Sequence, residues 1–232
     1  MGTYKHLFFD LDHTLWDFNS NCRLTLEELY RLMDLGSLGI SDFELFYTTY
    51  LIHNDKLWEK YRNGIIKVDE LRWKRMWYTL IDFKIGDEKL ARDMGFHFLQ
   101  LLPTRKLLFP HTIECLDYLT DKGYRLHLIT NGFEDVQHSK LKHSGIASYF
   151  IEVITSECSN SIKPNKEIFE YAFMKTGANP HESIMIGDSI EVDIQGAMNA
   201  GIDQVFVNHT CIDCPIQPTY MVHSLKELKQ IF

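Results

Sequence analysis

Beyond Pro110 the chain alternates short apolar runs with amphipathic stretches, and this rhythm restricts the fold more than any other feature. Parallel neighbouring strands need a long crossover, usually a helix, so the alternation predicts a parallel sheet with helices on its faces. Residues 125–130, 150–155, 183–187 and 204–207 have the length and bulk of buried strands, with a weaker candidate near Tyr220. Helices are expected between them at 112–122, 134–144, 165–176 and 190–200. One more run of the same kind, residues 5–10, lies far upstream. Between it and the rest, helical patterns recur at 23–33, 41–61, 68–83 and 87–102, the second opened by a capping box of Ser41 and Glu44. The expected architecture is therefore an α/β core, residues 1–15 and 105–232, interrupted after its first strand by a helical bundle, residues 16–104.

A chain of 232 residues with 45% hydrophobic side chains can bury a core of this kind. Basic residues number 24 against 32 acidic ones, and the formal charge of −8 repels nucleic acid polymers and anionic membranes. The apolar run ending at Asp10 is too short for a signal-peptide core or a membrane span, and Gly2 fails the myristoylation pattern because His6 stands at the sixth position. Five scattered cysteines are what a reducing compartment tolerates, so the cytoplasm is expected.

Chemistry gathers at the strand ends. Asp10 and Asp12 lie two residues apart after the first run, and a strand continued that far would point both acids the same way. Such a pair also occurs in sugar-nucleotide metal sites and by chance in loops. At 129–132 an apolar strand ends in Thr130, Asn131 and Gly132 before a helix, where a hydroxyl and free backbone N–H groups can hold a phosphate or merely cap the helix. Lys163 precedes Pro164 at the mouth of another helix, as an anion-binding lysine or a surface lysine at a turn. Gly187 and Asp188 end a fourth strand, with Asp193 following. Asp10 and Asp188 could supply hard oxygens to Mg²⁺; alternatively Asp188 is a helix cap and Asp193 a solvated side chain. All of these fall at the carboxyl ends of predicted parallel strands, where open α/β sheets bind ligands.

Asp10-x-Asp12-x-Thr14, Thr130, Lys163-Pro164 and Gly187-Asp188 with Asp193 resemble, in order, the four motifs of the haloacid dehalogenase-like hydrolase superfamily, and the insert resembles its helical cap. The resemblance implies a Rossmann-like core and a Mg²⁺-dependent phosphatase. It makes Asp10 the nucleophile and Asp12 the general acid and base. Lys163 would neutralise charge in the reaction, and Thr130 with the backbone N–H of Asn131 would hold the phosphate. It assigns the metal to Asp10, Asp188 and the backbone carbonyl of Asp12, with Asp193 orienting the site from outside. Asp12 argues against a haloacid dehalogenase, which needs no acid there; a phosphomutase is the harder alternative. The segments 7–16, 61–66, 130–133 and 163–169 further resemble bacterial house-cleaning pyrimidine 5'-nucleotidases, which implies nucleoside 5'-monophosphates as substrates, with sugar phosphates or phosphoglycolate as alternatives.

Three features stand apart. His209, Cys211 and Cys214 offer soft ligands, but a zinc site wants a fourth. Trp73, Trp77 and Tyr78 recur at helical spacing, as core packing does. Trp16 and Phe18, on the segment entering the insert, are placed to meet a base or to pack, and Asn63-Gly64 marks a turn between insert helices.

Overall fold

The computed structural model describes residues 4–232; Gly2, and with it the myristoylation argument, lies outside the described residues. Two compact units emerge, one reaching to Phe18 and resuming at Lys106, the other running from Asn19 to Arg105.

The first unit is built on a six-stranded sheet in the order β3-β2-β1-β4-β5-β6. Its strands are β1 (His6–Phe9), β2 (Arg125–Thr130), β3 (Phe150–Thr155), β4 (Ser183–Gly187), β5 (Asp203–Val207) and β6 (Tyr220–Val222). Every neighbouring pair is parallel. The central strand β1 is buried along its whole length, which is why it reads as an unbroken apolar run. Phe8, Ile129 and Met185 pack from three strands against Ile168, Phe169 and Ala172 of a covering helix. Each fully buried Phe or Ile there stabilises by about 1.5–3 kcal/mol.

The described helices, in chain order, are α1 (Phe18–Leu32), α2 (Phe43–Arg62), α3 (Val68–Asp82), α4 (Glu88–Leu101), α5 (Thr112–Asp121), α6 (Glu134–Ser144), α7 (Ser156–Ser159), α8 (Lys166–Thr176) and α9 (Gln195–Asn199). The expected helix over 190–200 is divided, because Ile190–Ile194 winds as a π turn before α9 begins. The single turn α7 is too short to leave a periodic trace in the sequence.

The second unit holds the helices of the insert. The expected capping box at Ser41 does not form. Asp42, one residue later, is the cap, and its carboxylate accepts from the backbone N–H groups of Glu44 and Leu45. An Asp caps as well as a Ser and adds negative charge at the positive helix end. Helices α3 and α4 approach closely at Gly95, where an added Cβ would stand 2.9 Å from Trp73 Cα. Arg75 is buried in this unit, bonded to Asn54 Oδ1 at 3.1 Å and lying over the Phe98 ring at 5.2 Å. No helix among the described residues is long and apolar enough to cross a membrane.

Candidate active site

Strands β2, β1 and β4 are neighbours, so their carboxyl ends lie about one strand spacing apart, roughly 4.8 Å each. After β4 the chain has crossed to the other side of β1, and such a reversal opens a crevice above the strand ends. Asp10 follows β1 directly and remains tied to the sheet, its N–H donating to the Ile186 carbonyl at 2.9 Å. The chain then turns away, with His13 in the left-handed region at φ 65° and the Trp16 N–H returning to the Leu11 carbonyl at 2.9 Å. The strand therefore does not continue to Asp12 as a simple alternation would have it. Asp10 and Asp12 are instead held by two different lysines.

Lys163, only 1% exposed, sits between Asp10 and Asp193, with its Nζ 2.6 Å from Oδ1 of each. Burial alone would lower its pKa, but the two carboxylates reverse that and hold the ammonium firmly charged. Its backbone is clamped by Asn131, which donates from Nδ2 to the Lys163 carbonyl at 3.0 Å and accepts the Lys163 N–H on Oδ1 at 2.8 Å. Asp188 accepts from Thr14 Oγ1 at 2.9 Å, and the Thr14 carbonyl in turn accepts from His209 Nε2 at 3.1 Å. Thr130 Oγ1 accepts from Gln137 Nε2 at 2.6 Å and from the Gly132 N–H at 3.2 Å. With its acceptor capacity used, that hydroxyl has its own proton left to donate.

Oxygens of Asp10, Asp188 and Asp193 all lie within 4.8 Å of one another, the one such group among the described residues. Burial pushes the carboxyl of Asp10 above its usual range, with Lys163 opposing and Asp193 adding to the rise. The Asp188 carboxyl is raised as well, by burial and then by repulsion from Asp193 and Asp10. Three carboxylates against one ammonium leave a formal charge of −2, which a divalent cation would balance. An all-oxygen donor set suits a hard ion such as Mg²⁺. Asp193, expected outside the metal site, lies within the cluster, yet both its oxygens are engaged, Oδ1 by Lys163 and Oδ2 by the Ser189 N–H at 3.0 Å. Asp10 and Asp188 each keep Oδ2 without a protein hydrogen bond among the described residues, so these two are equipped to bind an ion. Gly187 is obligatory beside them, because a Cβ there would collide with the Asp193 carboxylate.

The carboxylate of Asp12 belongs to a separate group: Lys140 Nζ stands 2.6 and 2.8 Å from its two oxygens, and Gln137 Nε2 is 3.1 Å from Oδ2. Neither Gln137 nor Lys140 stands out in the sequence. Their signal is positional, since both fall in the stripe of α6 that also carries the buried Val136 and Leu141. The soft-ligand set does not converge. Besides the His209 contact, Cys211 Sγ lies 3.6 Å from His223 Nδ1 and Cys214 Sγ donates to the Ile216 carbonyl at 3.1 Å. Trp16 is 0% exposed, with Lys140 Nζ 4.5 Å from its ring centre, so it has no open face for a base. Phe18 is 8% exposed and lies 5.0 Å from the His13 ring.

This chain is 32% identical to pyrimidine 5'-nucleotidase PynA of Streptococcus pneumoniae over 97% of its own length and 93% of that protein's. It is 33% identical to glyceraldehyde 3-phosphate phosphatase of Methanothermobacter thermautotrophicus, over 88% of this chain and 85% of the relative. Among solved structures, the putative HAD-hydrolase YfnB of Bacillus subtilis bound to magnesium superposes with a TM-score of 0.88 at 27% identity, over 98% of each chain. The model of haloacid dehalogenase-like hydrolases matches residues 4–201, and with the α/β core, its helical insert and the acidic strand ends, the chain belongs to that family of hydrolases.

Proposed function

We propose that the protein is a Mg²⁺-dependent phosphomonoesterase that works through a phosphate ester on Asp10, with nucleoside 5'-monophosphates as substrates. The observation that carries this reading is the pair of separately held acids: Asp10 on Lys163 and Asp12 on Lys140, both on the turn after β1. One acid is thereby placed beside the charge-balancing cluster, and the other is kept out of it with a different task.

Phosphate and Asp10 are both anionic, and two unit charges about 4 Å apart repel by roughly 4 kcal/mol at an effective dielectric near 20. Lys163 offsets part of this at 2.6 Å from Asp10, while Thr130 Oγ1 and the Asn131 N–H donate to phosphoryl oxygens. Mg²⁺, held by Asp10, Asp188 and the Asp12 carbonyl, would neutralise the remaining charge on those oxygens. An Asp10 oxygen forms a bond to phosphorus as the ester P–O bond breaks, and the leaving oxygen takes a proton from Asp12. A water then attacks the same phosphorus and gives its proton to Asp12. The Asp10–phosphorus bond breaks, releasing inorganic phosphate and restoring both carboxyl groups. Asp193 keeps Lys163 aimed throughout.

Support for nucleotides comes from the likeness to PynA; the comparable likeness to a glyceraldehyde 3-phosphate phosphatase makes triose and sugar phosphates the competing class. A screen of kcat/KM in Mg²⁺ across pyrimidine and purine nucleoside monophosphates, glyceraldehyde 3-phosphate, sugar phosphates and phosphoglycolate decides between them. Pyrimidine 5'-monophosphates are expected to lead. A sugar or triose phosphate at the head would overturn the nucleotide assignment and leave the phosphatase chemistry intact.

A further inference from the structure

Helix α6 buries two polar side chains in its apolar stripe, Gln137 and Lys140. Lysine is almost never buried unless paired, because removing an ammonium from water costs several kcal/mol. The partner here is Asp12, met on both oxygens at 2.6 and 2.8 Å. The ammonium also lies over two aromatic rings, with the Trp16 centroid at 4.5 Å and that of Phe18 at 5.8 Å. Gln137 adds a third hydrogen bond, and its Nε2 links Asp12 Oδ2 to Thr130 Oγ1. A carboxylate on a mobile turn can rotate about its side-chain torsions; one gripped from two residues of a rigid helix cannot.

We infer that Lys140, assisted by Gln137, is the positioning residue for Asp12: it fixes the carboxylate that moves protons during phosphoryl transfer and ties it to the phosphate-holding end of β2. This inference rests on the phosphatase reading above. It also gives Trp16 a task other than stacking on a base, as a ring beneath the Lys140 ammonium.

Displacing a reacting group by about 1 Å can cost roughly 100-fold in rate. Lys140→Met should therefore lower kcat by roughly 10- to 100-fold, with KM falling alongside as hydrolysis of the phosphoenzyme becomes limiting, and Lys140→Arg should recover most of the loss. Acid-quenched Lys140→Met enzyme should hold more phosphate on Asp10 than wild type, as Asp12→Asn should. The deciding comparison is the double variant. Once Asp12 is Asn there is nothing left to position, so Lys140→Met should change kcat by less than about twofold in that background. Gln137→Leu carries the same comparison should Lys140→Met not fold. Equal losses in the wild-type and Asp12→Asn backgrounds would overturn the positioning role. Failure of Asp12→Asn itself to accumulate phosphoenzyme would instead overturn the role of Asp12, and the inference with it.

Discussion

In the core of the sheet, His6 of β1 and His127 of β2 stack with ring centres 5.3 Å apart, His6 Nδ1 lying 3.1 Å from His127 Nε2. His127 is 1% exposed, the Phe8 ring stacks against it at 5.0 Å, and its Nδ1 has no hydrogen-bond partner among the described residues. Burial, then the charge-like neighbours His6 and Arg125, lower its pKa from 6.5 to about 4. The folded state thus favours neutral imidazole, and unfolding takes up a proton. Stability from this residue is intact above pH 6.5 and drains away as pH falls toward 4. A fall from 6.5 to about 4, at about 1.36 kcal/mol per pH unit, weighs roughly 3 kcal/mol, of which about 2 to 3 kcal/mol is lost between pH 7.5 and pH 4.5. Asp10 and Asp188, whose pKa values are raised, push the other way, so the comparison must be differential. Urea unfolding of wild type and His127→Phe at both pH values isolates the imidazole. Wild type should lose about 2 to 3 kcal/mol more than the variant. Equal losses would mean that His127 is not held neutral by the core, and the account of this part of the sheet would be wrong.

Other predictions concern the site. EDTA should silence the enzyme and Mg²⁺ restore it. Independently of activity, Mg²⁺ at about 100 times its Kd should add about 2.7 kcal/mol of stability, a rise in Tm of roughly 5 to 10 °C that Asp188→Asn should largely abolish. Gly187→Ala should keep the circular dichroism of the fold but lose most activity, because its Cβ displaces the Asp193 that aims Lys163. Retained turnover would show that Asp193 is dispensable. Under the nucleotide reading, Phe18→Ala should lower nucleotide turnover by roughly five- to 150-fold, from a stacking range of about 1 to 3 kcal/mol, and p-nitrophenyl phosphate turnover much less; equal losses would remove Phe18 from base recognition. Trp16→Leu, which strips the ring beneath Lys140, should affect both substrates alike.

The residues that read clearly in the sequence are those whose chemistry conflicts with their surroundings. Asp10 ends a run of four buried residues, and Gly187-Asp188 ends another buried strand; a polar group at such a point needs a reason, and the sheet brings the two ends side by side. Lys163 is legible as a lysine beside a proline, though not its insertion between Asp10 and Asp193, which depends on a clamp from Asn131 on another strand end. Gln137 and Lys140 escape notice because α6 is rich in charge and its buried stripe holds only two apolar residues, Val136 and Leu141. Helix periodicity tells which face is inward; it does not tell that an inward lysine has found a carboxylate 128 positions away. The cap forms at Asp42 and not at the expected Ser41; both are good caps and stand side by side, so residue preference alone does not choose between them.

The central claim is a covalent phosphate on Asp10, and the most direct test is mass spectrometry of peptides from Asp12→Asn enzyme quenched in acid during turnover. The account predicts a hydroxylamine-sensitive phosphate on the peptide carrying Asp10, absent from the Asp10→Asn/Asp12→Asn double variant. A turning-over enzyme with no phosphate on Asp10, or with turnover surviving Asp10→Asn, would contradict it.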